Sequence, residues 1–333
     1  MRGGRGWQAW YGWFLGACLL LVVAVALGVM IGPAGTISRA NWNVVSTVRL
    51  PRVALGGLVG GTLALAGASY QGVFRNPLVD TYQLGVGAGA GLGATIAMTI
   101  GITGSRMGLN AGKAWGLIDP LPLAAFLGGL GAVVLTYVVG AGFGGNRASL
   151  VLAGVAVTAV ASALQALILQ RNNDVIRQVY NWILGSLSSA RWADVRLALP
   201  YTVVAGAVLM LHRRHLDLLR VGEEEAQTLG APVRRIRLTV VIAATMATAA
   251  VISVSGLIGF VGLVVPHVVR MLSGSSYRSV LPISVVLGAA FLILVDIPGR
   301  ALMSGAEIPI GVVTAMLGGP FFILLLRTRR AGV

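Results

Sequence analysis

The chain has 333 residues, of which 56% are hydrophobic and only 11% charged, with a net charge of +15. A soluble domain carries about 25% charged residues, so a water-facing surface is excluded for most of this chain and the bilayer must be its solvent. The excess of Arg and Lys does not point to nucleic acid. The cations sit in short gaps between apolar runs, as in helices anchored and oriented in a membrane, and no basic face with interleaved aromatics accompanies them.

A spanning helix needs roughly 20 apolar residues. Ten apolar segments are read, at 13–32, 53–72, 84–103, 120–141, 148–169, 197–211, 238–255, 257–271, 280–297 and 308–326. They predict an all-α polytopic membrane protein of about ten transmembrane helices, a single transmembrane domain over 1–333. The first run follows Arg2 and Arg5, but it extends to Ile31 without an A-x-A site. It is therefore expected to be a retained helix, since a signal-peptide core is about 7–15 residues long. Cys18, the only cysteine, lies inside it and is assigned to helix packing.

With the N-terminus inside, fifteen of the 25 basic residues fall on the cytoplasmic side, which predicts both termini cytoplasmic. The other side then holds Arg39, Arg49, Arg52, Arg171, Arg177, Arg191, Arg196 and Arg300, with Arg106 and Lys113 in a further loop. These either are tolerated in short loops or meet an acidic partner outside.

Glycines recur every four residues at Gly56 and Gly60, Gly57 and Gly61, and Gly85, Gly89 and Gly93, a spacing that lets helices cross closely. The string Gly89–Ala94 fits a relaxed dinucleotide fingerprint but has no strand before it. Gly108–Ala114 lacks the spacing and hydroxyl of a phosphate-binding loop, so any ATP must be bound elsewhere. No cofactor and no metal site is expected on this chain. His212 and His215, with Arg213 and Arg214 between them, read as a basic juxtamembrane cluster.

The one long polar loop, 212–237, has an apolar side at Leu216, Leu218, Leu219 and Val221. A short helix is expected over Glu223–Leu229, stopped by Gly230 and Pro232. An ordered charged loop of this kind either docks a soluble protein or merely connects two spans. In the fifth segment, Thr158, Ser162 and Gln165 share one helical face; such residues hydrogen-bond a neighbouring helix or face a polar passage. Pro266 breaks the eighth segment, freeing a carbonyl and permitting a bend beside His267.

The chain resembles the FecCD-type permease family of type II ABC importers, which serve iron-siderophore, haem and cobalamin uptake, over about residues 15–328. The resemblance rests on RLPR at Arg49–Arg52, the stretch Gly67–Ala94, GLIGFVGLVVPHVVR at Gly256–Arg270, LPIS at Leu281–Ser284, DIPGR at Asp296–Arg300, and Glu307–Phe322, in that order. It implies ten helices per subunit and a dimer of permeases, of identical or related chains, in the bacterial inner membrane. It also implies two cytoplasmic ATPase subunits carrying ATP and Mg, and an extracytoplasmic substrate-binding protein. Arg49, Arg52 and Arg300 are implied to receive carboxylates of that binding protein; on the residues alone, Arg49 or Arg52 instead caps a helix end or pairs with Asp296 or Glu307. Val221, Gly222, Glu223, Glu224, Glu225, Ala226, Leu229, Gly230, Ala231 and Pro232 match the loop that seats on the ATPase. Its run of glutamates predicts a basic ATPase surface. Thr158, Ser162, Gln165 and, from the tenth segment, Thr314 are expected to line the passage, and Pro266 and His267 to serve structure or coupling. The expected cargo is an iron chelate or haem, with cobalamin as the alternative. The out-of-class rival, an ion-coupled secondary transporter, needs intramembrane charges, and only Asp296 and Glu307 come near membrane depth.

Overall fold

The structure is a computed structural model that describes residues 3–32, 42–101, 120–142, 146–301 and 307–330. Arg2, Arg39, Arg106 and Lys113 lie outside the described residues. With Trp42–Phe74 counted as one and a single 3-10 turn at Asn173–Val175 set aside, the described residues form thirteen helices and no strand. Ten of the helices fall on the ten apolar segments. Seven are long and apolar enough to cross a bilayer: α1 (Gly3–Met30), α2 (Trp42–Phe74), α4 (Pro120–Gly142), α5 (Arg147–Arg171), α7 (Trp192–Leu211), α10 (Val233–Ser255) and α12 (Tyr277–Ala301). Three are shorter: α3 (Val86–Thr99), α11 (Val261–Ser273) and α13 (Ile310–Arg330). The remaining helices are α6 (Ile176–Ile183), α8 (Arg213–Leu219) and α9 (Glu223–Thr228).

Helix α2 is the axis of the bundle, buried along most of its length and packed by α7, α10, α11 and α12. Its glycines make this possible. A Cβ on Gly60 would strike the Gly288 carbonyl of α12, and one on Gly67 the Gly262 carbonyl of α11. Backbone thus lies on backbone, the arrangement that small residues permit where lipid tails supply no hydrophobic drive between helices. In α3, Gly89 and Gly93 pack on Gly128 and Ala124 of α4. Gly85 departs from the expected helical stack: it precedes α3 with φ +86°, a left-handed turn that glycine adopts without steric cost. Helices α1, α4, α5 and α7 expose apolar faces, with Leu15, Val134, Leu152 and Val203 among the outward side chains. That is the surface expected against lipid or a second membrane subunit.

A π-helical turn, Val45–Arg49, widens α2 in the turn that Pro51 deprives of a donor. The segment 84–103 is helical only over 86–99, and 257–271 only from 261. The chain therefore enters the bundle as irregular backbone at 76–85 and 256–260. Such backbone survives at membrane depth only where protein encloses it or a wet cavity meets it.

Candidate functional site

Segment 172–191 and the α8–α9 segment lie at opposite ends of α7, and the motif arginines gather at the first of these ends. There, Arg52 projects from α2 toward α12. Its Nε and Nη2 donate to Asp296 Oδ2 and Oδ1 at 2.8 and 2.9 Å, and its Nη1 donates to Glu307 at 3.0 Å. The fork-on-carboxylate pairing is bidentate, the strong form of this interaction. Arg300, one turn beyond Asp296, sends Nη2 to the Gly28 carbonyl at 2.6 Å, while Arg49 Nη1 reaches the Val29 carbonyl at 3.1 Å. Both thus satisfy orphan carbonyls at the end of α1 and place positive charge at the negative end of its dipole. Arg49, Arg52 and Arg300 are 4%, 7% and 5% exposed. In this subunit the motif arginines are engaged inward, and Glu307 is the exposed member of the cluster.

Beside this cluster opens a cavity of about 470 Å3 lined by Arg52, Glu307, Asn181, Ser186, Ser188 and Ser189. Its floor is a clasp of three irregular stretches. Ser186 N–H donates to the Ser255 carbonyl at 2.9 Å and Gly311 N–H to Leu184 at 3.1 Å. Gly185 and Gly256 both take φ +70°, and a side chain on either would run into the other stretch's backbone. From the far side the Tyr82 hydroxyl donates to the Ile258 carbonyl at 2.9 Å and accepts from Ile258 N–H at 3.0 Å. Nothing in the local sequence signals this pairing, because the partners are 176 residues apart. In the same loop, Asp80 Oδ1 accepts from the Thr81 N–H at 2.7 Å and from the Thr81 hydroxyl at 3.3 Å.

The four expected passage residues do not form one surface. Ser162 is exposed and Thr158 half-buried near Gly85. Gln165 donates to Thr95 Oγ1 at 2.8 Å and to the Gly91 carbonyl at 3.2 Å, binding α5 to α3. Thr314 is fully buried and bonds back to the Gly311 carbonyl within its own helix. Thr314, Gly318 and Phe321 share the face of α13 turned toward α11; Gly318 lies against the Phe260 ring and Phe321 against His267.

Pro266 and His267 are buried in α11. Pro266 cannot donate to the Gly262 carbonyl four residues earlier. Gln71 Nε2 takes that carbonyl instead, at 3.1 Å, and Gln71 Oε1 accepts from Arg270 Nη1 at 2.6 Å. The expected freed carbonyl is present, and its partner is a side chain of α2.

At the opposite end the segment from 212 folds as two helices. Asp217 of α8 accepts from Ser276 Oγ and Tyr277 N–H, both at 2.8 Å, and so caps the start of α12. The short helix expected after Gly222 runs over Glu223–Thr228, with Leu229 as its cap and Gly230 at φ +81° before Pro232 and α10. Ala226 is buried, whereas Val221 and Leu229 are exposed apolar side chains. The three glutamates divide. Glu223 pairs with Arg237 of α10 and, at 3.2 Å, with Arg147 at the start of α5; Glu224 and Glu225 are exposed, the latter with its carboxylate folded back over Gly222. The sequence lost this division because Arg147 is far from Glu223 along the chain.

Among the described residues, no three His, Cys, Asp or Glu side chains gather as a metal site.

The model of the FecCD transport family matches residues 12–328. The chain is 40% identical over 287 residues to the cobalamin import system permease protein BtuC of Halobacterium salinarum, covering 86% of this chain and 74% of that one. It is 35% identical to the hemin transport system permease protein HmuU of Yersinia pestis, covering 95% and 96%. In structure it is similar to a metal-chelate type ABC transporter in an inward-facing conformation, with a TM-score of 0.84 and 30% identity over 95% of this chain and 98% of the other.

Proposed function

Since the chain belongs to the FecCD transport family, a family of ABC importer permeases for iron chelates, haem and cobalamin, we propose that it is the permease subunit of an importer that carries an iron chelate or haem across the bacterial inner membrane. The observation that carries this reading is the family match over nearly the whole chain. Cobalamin is the second reading, favoured by the 40% identity to a cobalamin permease.

In this reading two permease subunits, identical or related, enclose the passage. Two cytoplasmic ATPases bind ATP with Mg and seat on α8 and α9 through Val221–Pro232. An extracytoplasmic binding protein delivers the cargo at the outer end. This chain makes and breaks no bonds. When ATP draws the ATPases together, α9 moves with them. Glu223 transmits that movement to the first turn of α5 through Arg147 and to α10 through Arg237. Tilting of α5, with Thr158 and Ser162 on it, opens the passage to one side and then the other. Gln165 keeps α3 attached to α5 during the tilt, and Thr314 reaches the passage only when α13 parts from α11.

Docking at Arg49, Arg52 and Arg300 follows from exchange of carboxylates. Asp296 holds Arg52 in place, and a carboxylate of the binding protein replaces the exposed Glu307 on Nη1. Arg49 and Arg300 keep the site net positive.

The test is uptake into proteoliposomes of this chain with its neighbouring ATPase and binding protein, offered labelled ferric siderophore, haem and cobalamin. Accumulation of one cargo that requires ATP on the ATPase side supports the importer and names its cargo. Uptake that follows an ion gradient without ATP overturns it in favour of a secondary transporter.

A further inference from the structure

On the membrane-facing surface, α2, α7 and α12 leave a groove of about 290 Å3 between them. Its walls include Gly57 and Gly61 of α2, Gly206 and Met210 of α7, and Val285 of α12. The groove exists because these glycines carry no side chain to fill it. The one hydroxyl contributed by α7, on Thr202, is already bonded to the Leu199 carbonyl at 2.9 Å. The walls offer a ligand little beyond apolar contact.

The end of the groove toward α8 is different. On α7 the lining residues Gly206 and Met210 lead to the helix end at Leu211, and Arg213 and Arg214 open α8 directly after the His212 joint. On α12, Arg278 lies seven residues before Val285, two turns away on the same face. All three arginines are exposed. Among the described residues no carboxylate pairs with them; Asp217, the nearest in sequence to Arg213 and Arg214, caps α12 and pairs with Arg220 at 3.5 Å. Helix α8 is fixed in this position. It packs across the ends of α2 and α12, with Leu216 and the Tyr277 ring closing on Gly72.

An apolar slot that ends in three unpaired guanidinium groups at the membrane boundary matches one kind of molecule. We propose that the groove is a binding site for an anionic phospholipid of the leaflet on the α8 side. An acyl chain lies against Gly57, Gly61 and Gly206, and the phosphate lies over Arg213, Arg214 and Arg278. Basic pockets between helices on this side of a membrane suit such headgroups. Bidentate guanidinium–phosphate bonding makes arginine the fitting residue. A helix of a second permease would fill the slot but would leave the three charges without a counterpart, so charge complementarity selects the lipid.

The experiment is native mass spectrometry of the full-length chain, released from detergent micelles containing equal amounts of phosphatidylglycerol and phosphatidylcholine. Two variants accompany it. The first, Arg213→Gln with Arg214→Gln and Arg278→Gln, alters only exposed side chains. The second is Gly206→Leu; a Cβ there meets only Leu65 Cδ1's geminal partner Cδ2, at an ordinary 3.6 Å, so the longer side chain enters the groove without backbone conflict. The wild type is expected to retain phosphatidylglycerol at least fivefold over phosphatidylcholine, and each variant to bring that ratio close to one at an unchanged thermal midpoint. Equal retention of the two lipids by the wild type overturns the proposal. So does a ratio that either variant leaves unchanged, because both halves of the site are required. Conversion of a dimer to a monomer by Gly206→Leu also overturns it, by showing that a second copy occupies the groove.

Discussion

Pro266 and Gln71 are complementary: the proline withholds a hydrogen bond from the Gly262 carbonyl, and the glutamine supplies it at 3.1 Å. Leaving a buried carbonyl unpaired costs about 1–3 kcal/mol. Gln71→Met is therefore expected to lower the thermal midpoint in detergent. In a Pro266→Ala background, where residue 266 regains its N–H, the same change should cost less. A residual loss remains there, because Arg270 also loses its acceptor. Equal losses in both backgrounds would show that the carbonyl is not what joins the two residues.

The two carboxylates on Arg52 should separate function from stability. Asp296 is buried with the guanidinium, and removing one member of a buried pair costs about 3–5 kcal/mol. Asp296→Ala is expected to reduce folded yield sharply in size-exclusion profiles. Glu307 is half-exposed, so Glu307→Gln should leave the yield near wild type. By removing the competing carboxylate, it should tighten docking of the binding protein about tenfold, equivalent to about 1.4 kcal/mol. Titration of that protein against the permease in nanodiscs reads the difference.

Asp217 joins α8 to the start of α12, and loss of such a cap costs about 0.5–2 kcal/mol. Asp217→Ala is expected to lower the thermal midpoint modestly and to weaken stimulation of the partner ATPase by cargo-loaded binding protein. Asp217→Asn, which keeps an acceptor, should restore most of both.

Two glycines test the backbone contacts of α2. Gly67→Ala places a methyl group against the Gly262 carbonyl, whereas a Cβ at Gly131 of α4 meets nothing within 4 Å. The first should abolish the monodisperse folded peak; the second should leave it intact or slightly strengthen its helix.

Much of the architecture could be read from sequence because it is periodic. The ten apolar runs, the four-residue spacing of Gly56 and Gly60, and the carbonyl freed by Pro266 are local statements, and each has a counterpart in the fold. What the sequence withheld was tertiary. It offered Arg52 a partner outside or a partner at Asp296 or Glu307, and only the packing of α12 on α2 brings Asp296 to it. It gave Gln165 one face with Thr158 and Ser162, but not the Thr95 hydroxyl that engages it. It read Glu223, Glu224 and Glu225 as one acidic run, whereas Arg147 and Arg237 draw the first of them inward. The short α3 and the late start of α11 were hidden because Gly85, Gly256 and the residues around them are as apolar as a helix.

The bond between Arg52 and Asp296 joins positions 244 residues apart, and this has a consequence for biosynthesis. The ribosome delivers α2 to the membrane early, with a guanidinium that has no counter-ion and glycine faces that have no neighbour. Its partners α11 and α12 emerge only in the last quarter of translation. Until then the central helix of the finished protein lacks both its ion partner and its packing partners, and Arg52, near a helix end, has to satisfy its guanidinium at the membrane boundary. A chain terminated before residue 296 never gains the carboxylate that holds Arg52 in place.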